Sequence, residues 1–101
     1  MTSDDVDTII REGSTVLVRT VTHNFIGTIR RVVETHEGVP VLIALEPAAW
    51  VADTGTRLGK LLSDGIATET EIEVYPRGCV VALSALVDVS PWAHPVPTVS
   101  Q

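Results

Sequence analysis

The chain is 101 residues long, and its seven basic against thirteen acidic residues give a formal charge of −6, which disfavours a general phosphate-backbone binder. Hydrophobic residues make up 45% but only four are aromatic (Phe25, Trp50, Tyr75 and Trp92), so a single core must be built from Val, Ile, Leu and Ala, a strand-favouring composition. One cysteine excludes an intrachain disulfide, and the lack of a leader pattern or of an apolar run near ~18 residues predicts a cytoplasmic chain with no membrane partner.

Taken in order, the chain first offers a short N-terminal helix. Ser3 is placed to cap it, Asp4 and Asp5 suit its positive end, and Val6, Ile9 and Ile10 form one apolar stripe before Gly13. Three strands follow over residues 16–22, 25–33 and 39–45, separated by His23-Asn24 and by residues 34–38. Val16 and Val18 should point to one face, with Leu17 and Arg19 to the other. Gly27 marks a bend, a bulge or a close backbone approach, and Pro40 places the start of the third strand at an edge.

Residues 46–65 break the strand pattern. Asp53 or Thr54 is expected to cap a short helix whose Leu58, Leu61 and Leu62 form an apolar stripe, ended by Asp64-Gly65. We read residues 46–70 as an insertion between the third and fourth strands, within one domain spanning 1–92. Residues 71–75 alternate cleanly and look like an exposed edge ribbon, residues 79–83 and 86–89 are short closing strands, and residues 93–101 form a Pro-rich tail.

This order of elements resembles the Sm/LSm-like family, and the blocks at residues 50–55 and 91–95 resemble an uncharacterised group of small Sm-like proteins of phages and bacteria. The resemblance implies a mainly β fold: a small five-stranded, strongly bent open barrel. It also implies edge strands that pair between copies, closing a homo-oligomeric ring of roughly five to seven subunits. The family's first motif falls on Gly27, with Glu34 at its acidic position and Gly38 where the family has Asn. Leu83-Ser84 stands where the family places Arg-Gly between the last two strands, and this chain's Arg77-Gly78 comes earlier.

The expected function is therefore a non-enzymatic structural or scaffolding ring component with no cofactor. The alternative is an RNA- or nucleotide-binding ring using Glu34, His36, Gly38, Arg77, Leu83 and Ser84, which the net charge disfavours. No metal-ligand spacing links His23, His36 and His94, and neither Cys79 nor Ser84 sits in a nucleophile motif, so no catalytic or metal residue is assigned. Arg30 and Arg31 should face opposite ways and pair with Glu34, Glu37 or Asp88. Trp50 and Trp92, both read as non-strand residues, are the candidate assembly or docking anchors, with Asp53 as the helix cap that fixes the first.

Overall fold

The computed structural model describes residues 10–101. Most of the expected N-terminal helix lies outside the described residues. Its last expected positions, Ile10 to Glu12, form a bend and a turn. The reason is local: Gly13 has a φ of 91°, its N–H already bonds the Ile29 carbonyl at 2.8 Å, and the chain is entering the sheet rather than finishing a helix.

Among the described residues, six strands form one open antiparallel sheet: β1 Thr15–Thr20, β2 Asn24–Glu34, β3 Pro40–Asp53, β4 Glu71–Tyr75, β5 Cys79–Ala82 and β6 Leu86–Pro91. A 3-10 turn, Leu83–Ala85, joins β5 to β6, and a helix, α1 Leu58–Asp64, lies between β3 and β4. The strand order is β4-β3-β2-β1-β6, with β5 also paired to β3. The expectation of five strands is thus corrected to six.

The sixth strand fits because β3 is 14 residues long and carries two partners on one edge. Leu42 to Leu45 pair with β5, and Ala48 to Asp53 pair with β4. Residues 46–53 therefore continue the sheet, against the expectation that they break it. Pro47, which has no N–H to donate, falls in the gap between the β4 and β5 ladders, where its missing donor is not needed. Opposite this gap, the β2–β3 register shifts after Gly27. A Cβ on Gly27 would stand 2.8 Å from the Pro47 carbonyl oxygen, so the crossing requires glycine.

The sheet is buried on both faces. On one, Val16, Val18, Ile29, Ile43, Leu45, Ala48 and Val81 form a cluster joined by Leu86 and Val89 of β6. Strands from both ends of the sheet share this cluster, so the sheet curls around it. On the other face, Leu17, Ile26, Ala49, Val51 and Ile72 pack with Leu61 and Trp92. Each fully buried Leu or Ile contributes roughly 1.5–3 kcal/mol, which outweighs any strand or turn preference nearby.

Helix α1 is seven residues long and could not hold its shape in isolation. Its Leu61 is fully buried, with Leu58 and Leu62 beside it, so packing orders it. The residue at its N-cap is Arg57, with no side-chain cap. Asp53 does not cap the helix. Its Oδ1 accepts from the Gly55 N–H at 2.8 Å and shapes the turn that leaves β3 instead.

Residues 93–101 run back over the second face. His94 Nε2 donates to the Leu62 carbonyl at 3.0 Å and its ring packs on Gly65. Ile72 and Gln101 exchange two backbone hydrogen bonds, and the Val74 N–H donates to Ser100 Oγ. The outer edge of β4, read from sequence as an exposed ribbon, is thereby occupied by the chain's own tail.

Candidate functional site

The two tryptophans do not come together. Trp92 is 4% exposed, sits in the second core cluster, and donates from Nε1 to the Pro95 carbonyl at 3.2 Å. It anchors this chain's tail to this chain's sheet. Trp50 lies inside β3, correcting its expected place outside a strand, and is half-buried. Phe25 of β2 and Glu73 of β4 stand opposite it in the register, so the three share the other face.

Around Trp50 the rings gather. His23, from the β1–β2 turn, stacks on Phe25 with centroids 5.8 Å apart and lies 5.2 Å from Trp50. Tyr75 of β4 meets Phe25 at 6.1 Å. Gly27 and Ala48 fill the row next to Phe25 and Trp50 with almost no side chain, which lets Tyr75 and Phe25 reach each other diagonally. Sequence reading missed His23, which it placed only in the break between the first two strands. Its separation of two from Phe25 was the one available signal.

The candidate loop residues divide into two groups. Glu34 ends β2, His36 and Gly38 lie in the β2–β3 turn, and Leu83 and Ser84 lie in the 3-10 turn. Since Leu42 pairs with both Val33 and Ala82, these two turns sit at the same end of β3. Arg77 is not with them. It lies in the β4–β5 turn beside Leu45 and Glu46, about 13 Å further along β3 at ~3.3 Å per residue. Gly78 there has a φ of 71°, and a Cβ on it would collide with the Leu45 carbonyl, so the Arg-Gly pair belongs to a tight turn.

Charge at the shared end is sparse. His36 reaches Glu37 at 3.2 Å with both side chains exposed, a contact worth little in water. Arg30 and Arg31 are both exposed, not on opposite faces, because the β2–β3 register shifts between Ile29 and Arg31. Arg30 faces Glu46 at 3.7 Å, while Asp88 is taken by Arg19 in a forked contact from Nε and a terminal nitrogen. That carboxylate raises the Arg19 pKa, first through the hydrogen bond and then through its charge.

The three histidines bond Thr22, Glu37 and the Leu62 carbonyl, and none reaches Cys79 or Ser84. Burial pushes the Cys79 thiol up from its ordinary value, away from a reactive thiolate. Among the described residues no group of three or more His, Cys, Asp or Glu side chains could hold a metal ion, and no helix is long and apolar enough to cross a membrane.

Two strands keep a whole side without a partner strand among the described residues. Among the described residues β5 pairs only with β3 and β6 only with β1, so each has one unpaired side. Val80 on β5 is 62% exposed and Val87 on β6 is 54% exposed. Comparison of the chain with protein-family models, with curated proteins and with solved structures gives no match.

Proposed function

We propose that the chain is a non-enzymatic, cytoplasmic scaffold protein of Sm-like type whose copies assemble into a ring through their edge strands. The observation that supports this is the pair of open edges, β5 and β6, at opposite ends of the sheet, each carrying an exposed valine. Pairing β5 of one copy with β6 of the next satisfies both rows of backbone groups. Because the two edges are different surfaces, the contact is head-to-tail and generates a ring when the rotation closes. The tail on β4 favours this arrangement by leaving no competing edge there.

A second reading is an RNA- or nucleotide-binding ring. The observation in its favour is that Glu34, His36, Gly38, Leu83 and Ser84 lie at one end of β3. Against it stand the exposed carboxylates there, the distance of Arg77 and the net charge of −6.

Native mass spectrometry of the protein as purified tests both. A discrete multiple of the chain mass, reduced to monomer by Val80→Lys with Val87→Lys, is the expected result. Added oligonucleotide mass on the ring would put the second reading first, and a monomer at micromolar concentration would reject edge assembly.

A further inference from the structure

Three of the chain's four aromatic residues, with one of its three histidines, gather on one patch of the sheet. The buried members of the cluster beneath are aliphatic, Val, Ile, Leu and Ala, and of these rings only Phe25 packs against it. Phe25, Trp50 and Tyr75 are each half-buried and His23 is exposed, so ring surface faces solvent.

Acid lines the same patch. Glu73 stands directly opposite Trp50, and Glu71, two residues away and therefore on the same face, stands opposite Asp53. All three carboxylates are exposed, and among the described residues none enters an ion pair. A π-face beside carboxylates that have no cationic partner attracts a cation and repels an anion. A planar guanidinium suits the pair best, since it stacks on an indole while its edge bonds a carboxylate. Phe25, Trp50, Tyr75 and Glu73 are held on strands, and only His23 comes from a turn.

We propose that Trp50, Phe25, Tyr75 and His23, with Glu73 at their rim, bind an arginine side chain from a basic segment of a partner protein. The site is independent of the ring proposed above. Phe25, Trp50 and Glu73 lie on the face of the sheet, not on the β5 or β6 edge, so assembly and arginine binding can fail separately.

The test is a nuclear magnetic resonance titration of the full chain with a peptide of alternating Gly and Arg. The expected result is a saturable shift of the Trp50 indole N–H, with the buried Trp92 indole unmoved, and weaker binding of the matching Gly-Lys peptide. Trp50→Leu should lower affinity about tenfold. Glu73→Gln, an exposed change that leaves packing untouched, should lower it severalfold and reduce its salt dependence. No shift at Trp50 with millimolar Gly-Arg peptide overturns the proposal. So does equal binding of a Gly-Glu peptide, an unchanged affinity in Glu73→Gln, or a response to single-stranded oligonucleotide in place of the peptide.

Discussion

Gln101 and Ile72 exchange both backbone hydrogen bonds, each at 2.9 Å, so the tail acts as an added strand on β4. The Gln101 side chain extends the lock by donating to the Ala67 and Thr70 carbonyls. An edge strand with unpaired groups is a template for unwanted pairing, and here the chain covers its own. Deleting residues 98–101 should cost about 1–3 kcal/mol, a few net hydrogen bonds. Amide exchange at Ile72 and Val74 should accelerate strongly in the truncated chain. Unchanged protection at those two amides would show that the tail does not close the edge.

The two tryptophans should respond differently to truncation. Trp92 is 4% exposed between Leu17, Ile26 and Leu61, and Trp92→Ala should cost about 3–5 kcal/mol. For a domain of this size that is a fall in Tm of at least ~12 °C. Trp50, only partly buried on the other face, should cost less, about 1 kcal/mol. Thermal unfolding of both variants checks the order. A reversal would mean that the ring cluster carries the fold and that the tail is loosely held.

The contrast between the tryptophans also marks where sequence reading stops. The first three strands were legible because Val, Ile and Leu alternate between clear breaks, and Val16, Leu17 and Val18 do split between the two cores. The continuation of β3 was not. Pro47 looks like a stop and Ala48-Ala49 have weak strand preference, yet both alanines are fully buried and packing decides. The ring cluster was beyond reach for another reason. Phe25, Trp50 and Tyr75 come from three separate strands, and only the register of β2, β3 and β4 places them on one face, with His23 two residues before Phe25. The same holds for Arg30 and Arg31, whose expected alternation is removed by a register shift that no residue type announces.

Gly27 makes the crossing of β2 and β3 directly testable. Its added Cβ would meet the Pro47 carbonyl oxygen at 2.8 Å and Leu45 Cβ at 2.9 Å, one of them backbone and unable to swing aside. Gly27→Ala should therefore destabilise by about 1–3 kcal/mol, as overpacking does, despite alanine's better strand preference. Gly59, whose Cβ would meet nothing within 4 Å, is the control. It lies in α1, where Gly59→Ala should stabilise by about 0.5–1 kcal/mol. Urea midpoints of the two variants should move in opposite directions. If both move the same way, the close approach at Gly27 is not what limits the site.

Cys79 supplies the pH dependence. Its thiol is half-buried against the first core cluster, and burial raises its pKa because the thiolate is poorly solvated there. The folded chain thus keeps the proton to higher pH than the unfolded chain does. Stability from this group is complete at neutral pH and falls as pH rises through the unfolded thiol's range near ~8.5 towards the folded value. Between pH 7 and pH 9.5 the urea midpoint should drop more for the wild-type chain than for Cys79→Ala, since every other titrating group is common to both. Alkylation by iodoacetamide at pH 8 should also be severalfold slower in the folded chain than in urea, because less thiolate is present and access is reduced. Equal midpoint losses in the two proteins, with alkylation as fast folded as unfolded, would place the Cys79 sulfur in solvent and not against Val81 and Leu45.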